Sequence, residues 1–158
     1  MSTFKVNRGS VITAICGVLA ALPDFNLVKP YEGEVYRYGK QEQIKSETFG
    51  AEVNLQSPFA LVISRGRPVV EKRSGNRSKK LRHEISVYIG MTNTHNFNST
   101  TVPPIFSVLA KCAETLDGLS LGLDGAGVLE LIDDGEFLVQ TDLYTVYDQR
   151  YYQHEVAY

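Results

Sequence analysis

Tryptophan is absent, and cysteine and methionine occur twice each in 158 residues. Two cysteines, Cys16 and Cys112, are too few for a disulfide framework. Both fall inside apolar helical patterns and are expected to be buried small side chains in a reducing compartment. The three histidines, His83, His95 and His154, stand far from one another and from both cysteines. Their spacing excludes a zinc motif, and no metal is expected. No apolar run is long enough to span a bilayer. The glycines at 118, 122, 125 and 127 are followed by no GK[ST] and open no helix, which removes a phosphate cradle. No serine sits in a nucleophile elbow, and no cysteine–histidine pair is in view. Enzymatic activity and a cofactor are therefore not expected. Charge of one sign is also lacking: the net value of −2 excludes a whole-molecule attraction to nucleic acid.

Against these absences stands one basic stretch. Residues 57–91 read SPFALVISRGRPVVEKRSGNRSKKLRHEISVYIGM. The run FALVI at 59–63 is short, continuous and apolar, which suits a strand covered on both faces. Further on, Leu81, Ile85, Val87, Ile89 and Met91 alternate with Arg82, Glu84, Ser86 and Tyr88, and His83 is the one polar residue on the apolar side. Such alternation predicts a half-buried strand of fixed register, since a slip of one residue would bury Arg82 and Glu84.

Between the two strands lie Arg65, Arg67, Lys72, Arg73, Arg77, Lys79, Lys80 and Arg82, with Glu71 the single acid. Ser74-Gly75-Asn76 is a turn signal. The stretch is expected to form a projecting hairpin arm over 65–82, with Val69 and Val70 continuing the first strand past a bend at Gly66 and Pro68. Three roles stand open for it: a solvated hairpin tip, an electrostatic arm docking on an acidic protein surface, or a phosphate-contacting element. The arm has no interleaved aromatics, which weakens base stacking.

The rest of the chain fits one domain spanning 1–158. Lys5 and Arg8 ahead of residues 11–22 have the outline of a signal peptide. Thr13 and Gly17 interrupt that run, however, and Ile12, Ile15, Cys16, Leu19 and Leu22 form an amphipathic stripe. A core helix capped by Ser10 and ended by Pro23 and Asp24 is the expectation. Residues 25–31 read as extended and 35–38 as a short strand. Residues 40–49 fit a helical turn or a loop, and 51–55 a strand or a loop.

Ile105, Leu109, Cys112 and Leu116 mark a second helix, with Thr100 or Thr101 as its cap, Pro103 and Pro104 in its first turn and Gly118 as its stop. Residues 128–132 read as a strand, Asp133-Asp134-Gly135 as a solvated turn and 137–140 as a return strand. The tyrosine-rich end, DLYTVYDQRYYQHEVAY, reads as a long final strand. The order helix, strands, helix, strands predicts an α+β fold: a mixed, mainly antiparallel sheet with two helices packed on one face.

The helix before PFALVIS, the strand LRHEISVYIGM, the helix PPIFSVLAKCAETLDGL and the closing strand LYTVYDQRYYQHEVAY together resemble the tail terminator (tail completion) proteins of long-tailed bacteriophages, Mu-like and lambda-type. The resemblance covers residues 10–158. The chain departs from it in a longer segment before Pro58 and in the basic arm. It implies a structural protein of the virion tail and neck, assembled in the host cytoplasm. Such a protein is a homo-oligomer, a hexameric ring on the last ring of tail tube protein, with sheath protein and a neck or head-completion protein as further partners. DNA only passes through the lumen. The interaction residues it implies are the eight bases of the arm together with Tyr147, Tyr151 and Tyr152. Another neck or head–tail joining protein, or a nucleic-acid-binding module using the arm, are the alternatives.

Overall fold

The computed structural model describes residues 6–32, 57–72, 78–93, 104–140 and 144–157. Helix α1 (Arg8–Ala20) leads into strand β1 (Leu27–Pro30), followed by β2 (Phe59–Gly66), β3 (Val69–Lys72) and β4 (Lys79–Thr92). Helix α2 (Ile105–Leu116) precedes the last two strands, β5 (Ala126–Gln140) and β6 (Tyr144–Ala157). The sheet order is β1-β2-β4-β6-β5, with β3 pairing β4 beside β2. Only β1 and β2 run parallel. This is the mixed, mainly antiparallel α+β architecture that the element order predicts.

The spine is the β4–β6 ladder, unbroken from Lys79↔Ala157 to Thr92↔Tyr144. Its alternation sends Ile85, Val87, Ile89 and Met91 to one face, where they meet Ile15 and Leu19 of α1 and Ile105, Leu109, Cys112 and Leu116 of α2. Both helices thus cover the same face. A second cluster occupies part of the opposite face: Phe59, Leu61, Tyr144 and Val146 are fully buried there, with Tyr88 and Val139 against them. Two-sided burial explains why residues 59–62 are apolar without interruption.

Details of the ends differ from expectation. Helix α1 begins at Arg8, and its cap is Asn7, whose Oδ1 accepts from the Ser10 amide at 3.2 Å. Asn7 and Ser10 are both good caps, and the helix takes the earlier one, with Val11 fully buried in its second turn. Pro104 takes the N-cap position of α2, one step outside the first turn. Gly118, at φ +78°, ends α2 in the left-handed region and donates to the Leu129 carbonyl at 2.7 Å. The expected strands at 35–38 and 51–55, the segment 40–49, the Thr100 and Thr101 caps, Pro103, His95 and the arm tip at 73–77 lie outside the described residues.

The largest correction concerns β5. Asp133-Asp134-Gly135 is no hairpin turn: one strand runs through it, with register shifts at Leu131/Asp133, Asp133/Glu136 and Phe137/Val139 and a further one near its start. The cause is β6, a continuous partner long enough to pair with both halves. The surplus residues are absorbed as bulges. Asp133 Oδ1 accepts from the Gly135 amide at 2.9 Å, and Gly135 has φ +155°.

Candidate interaction surface

The basic arm divides into two groups. Three of its arginines belong to the folded body. Arg65 donates to Ser86 Oγ and to Asp148 Oδ2, both at 3.3 Å. Arg67 donates to Glu155 Oε1 at 2.8 Å and to the Val6 carbonyl at 2.5 Å. Arg82 donates to Glu84 Oε1 at 2.9 Å, with its guanidinium carbon 4.4 Å from the centroid of the Tyr152 ring. These three therefore do not project, because acids from β4 and β6 hold them against the sheet. Lys72, Lys79 and Lys80 sit at the β3–β4 end and enter no ion pair among the described residues. Arg73 and Arg77 lie outside the described residues.

The tyrosines are also redistributed. The closing strand β6 is flanked on both sides, by β4 and β5, so it offers no free edge. Tyr151 is buried on the helix face, where its hydroxyl donates to Gln149 Oε1 and lies 4.0 Å from Cys112 Sγ. Gln149 Nε2 in turn donates to the Leu109 and Asp134 carbonyls at 2.9 Å each, tying α2 to the bulge in β5. Expected as a contact residue, Tyr151 is instead core. Tyr152 lies beneath Arg82 on the other face. Tyr147 stands between Phe106 and Phe137, with ring centroids 5.7 and 5.8 Å away.

Burial governs the two thiols. Burial pushes the Cys112 thiol up to about 12 and raises that of Cys16, so neither supplies a thiolate at neutral pH. No group of histidine, cysteine and carboxylate side chains converges to hold a metal among the described residues.

One titratable cluster is buried beneath the start of α1. Arg8 Nε donates to Ser64 Oγ at 2.9 Å, and the same hydroxyl shares a hydrogen bond with His83 Nε2 at 2.7 Å. His83 is fully buried beside its β6 partner Gln153. Its pKa is lowered to about 4, chiefly by desolvation and then by the charges of Arg67 and Arg8. A depressed histidine favours folding above its unfolded value near 6.5, and that contribution drains away as pH falls toward 4. The loss amounts to roughly 2–3 kcal/mol, at about 1.4 kcal/mol per pH unit. Glu155 works in the opposite sense, because burial raises its carboxyl above the usual value despite Arg67. Its protonation returns some stability on acidification. Urea unfolding at pH 7.0 and 4.5 measures the balance. His83→Gln is expected to reduce the acid loss by about 2 kcal/mol, and an unchanged loss would refute this account of His83.

The surface that the sequence did not disclose is β5. As an edge strand it exposes Val128, Ile132, Phe137 and Leu138, and Phe106 of α2 is exposed beside them. A groove between α2 and β5 is lined by Phe106, Leu109, Ala110, Ala113, Leu131, Asp134 and Gly135. The signal was present in the apolar residues flanking Asp133-Asp134-Gly135, but only the edge position of β5 gives it meaning. No helix among the described residues is long and apolar enough to cross a membrane. No family model matches the chain, and no curated protein matches it either.

Proposed function

We propose that this chain is a structural protein of a bacteriophage tail, a tail terminator that forms a ring on the last tail tube ring, stops polymerisation and offers a surface for the neck or head. The observation that carries the reading is the architecture: helix, strands, helix, strands on one mixed sheet, with both helices on one face. That is the arrangement in which the chain resembles the family. The chemistry agrees with it, since the buried Cys112 thiol and the buried neutral His83 are suited to packing. A protein of this kind works by presenting surfaces, and the exposed apolar edge at β5 is such a surface. In this role the protein resides in the virion, and DNA crosses the lumen without being read.

The test is electron microscopy of virus particles produced without the chain. Tails of uncontrolled length are the expected result. Tails of normal length that fail to acquire heads would transfer the protein to a neck-joining role, and normal infectious particles would remove it from assembly altogether.

A further inference from the structure

Two margins of the sheet are complementary. Strand β6 pairs with one side of β4 along its whole length, so β3 must pair with the other side, and β3 and β5 lie at opposite margins. Among the described residues, neither has a strand on its outer side. On the β3 margin Val69 and Val70 are each 43% exposed, beside Lys72, Lys79 and Lys80, which outnumber the single acid there, Glu71. On the β5 margin Val128 and Ile132 are 53% and 42% exposed. Strand β5 holds Glu130, Asp133, Asp134 and Glu136 and no base. Two of these acids already face β6 bases, Glu136 with Arg150 at 3.2 Å and Glu130 with His154 at 3.7 Å. Asp133 lies opposite Arg150 and helps to hold its charge, and Asp134 enters no ion pair among the described residues. Each margin thus sets exposed β-branched residues beside an excess of charge, and the two excesses are opposite in sign.

We infer that the partner of the β5 margin is the β3 margin of a second copy of this chain. Val69 and Val70 pack on the apolar side chains around Ile132, and Lys72 and Lys79 come level with Glu130. This rests on the ring reading and specifies its contact. Joining unlike margins gives a heterologous interface, which leaves a free margin on every pair and so continues until rotation closes it. The apolar contact supplies affinity, while the charges set orientation and exclude like-to-like pairing.

Register gives the contact a geometry. Val69 is level with Leu81, Glu155 and Ala126, whereas Asp133 is level with Arg150 and Ser86. Neighbouring copies are therefore offset by five residues along the strands, about 17 Å at the rise of an extended chain. A closed ring accommodates such an offset when its strands tilt from the ring axis, as strands do in a barrel. The bulges of β5 make the contact one of side chains, with no continuous hydrogen-bonded ladder.

Disulfide trapping tests the inference on the full chain, in a Cys16→Ala background that leaves only the buried Cys112. The Val70→Cys/Ile132→Cys variant, oxidised at high protein concentration, is expected to give a ladder of linked species beyond dimer on a non-reducing gel. Each single variant is expected to stay monomeric. Lys72→Glu/Lys79→Glu added to the double variant should abolish the ladder, and Glu130→Lys added to that should restore it, with circular dichroism confirming the fold of each. Dimers from a single variant, no ladder from the double variant, or a ladder indifferent to the charge exchange would each overturn the contact. The particle experiment fails or succeeds separately. A ladder with normal particles keeps the interface and discards the tail role, and overlong tails without a ladder keep the role and place the ring contact elsewhere.

Discussion

Gly90→Val is expected to destabilise the protein by about 3 kcal/mol, the upper end of what overpacking a well-filled site costs. Gly90 is the β4 partner of Phe59 on β2. A Cβ at position 90 would stand 2.1 Å from Phe59 Cζ and 2.5 and 2.7 Å from the two Cε atoms. Phe59 has nowhere to move, because it is fully buried, with its ring packed edge-on against Tyr144 at 5.6 Å between centroids. The ring lies over the bare glycine and fills the place of its missing side chain, a pairing that stabilises glycine in a strand. Phe59→Ala alone costs about 3–5 kcal/mol by leaving a cavity. Combined with Gly90→Val it recovers part of the loss, since the valine fills space that the alanine vacates. Urea titration of the two single variants and the pair measures this coupling, which should exceed about 1 kcal/mol for residues in direct contact. Strict additivity would mean that the two positions do not share that space.

Arg67→Met is expected to cost about 3–5 kcal/mol, the usual result of leaving one member of a buried ion pair behind. The side chains of Arg67 and Glu155 are only 12% and 3% exposed. Arg67 also satisfies the Val6 carbonyl, holding the entry to α1 on the sheet. Without the guanidinium, Glu155 keeps a carboxylate in a site that already raises its pKa by desolvation. That value climbs further in the variant. A raised acid contributes stability at low pH and loses it as pH rises through the folded value, so the deficit of Arg67→Met shrinks between pH 7 and 5. Losing Arg67 also removes a charge that repels protonated His83, which acts in the same direction. Arg67→Met/Glu155→Leu should recover most of the loss at neutral pH. A double variant as unstable as the single would show that packing around Arg67, and not the orphaned carboxylate, sets the cost.

These two sites show what the sequence discloses and what it withholds. The strand from Leu81 to Met91 is legible because its neighbours differ: helices cover one face, and mixed polar groups with a smaller apolar cluster occupy the other. Its alternation therefore records its burial. The helical stripes are legible for the same reason. The run at 59–63 is legible as a doubly covered strand, although nothing in it predicts that Gly90 is its counterpart. The basic stretch misleads because charge density is local and pairing is not: Asp148 and Glu155, which hold Arg65 and Arg67, lie more than eighty residues away. Likewise Asp133-Asp134-Gly135 carries the chemistry of a turn, and the same chemistry serves a bulge. Only the length of β6 decides between them. The tyrosines are identified as one strand, but their division between core and surface depends on β5 folding alongside it.

The interrupted register of β5 bears on colloidal behaviour. A long, flat, apolar outer strand is a template for cross-β growth, in which any chain with a spare backbone edge can add to it. Strand β5 is long and apolar enough to be such a hazard, yet its irregular course and its four carboxylates deny an incoming strand a straight row of donors and acceptors. The protein can thus display an apolar border at high concentration, with protection against amyloid-like accretion built into strand β5.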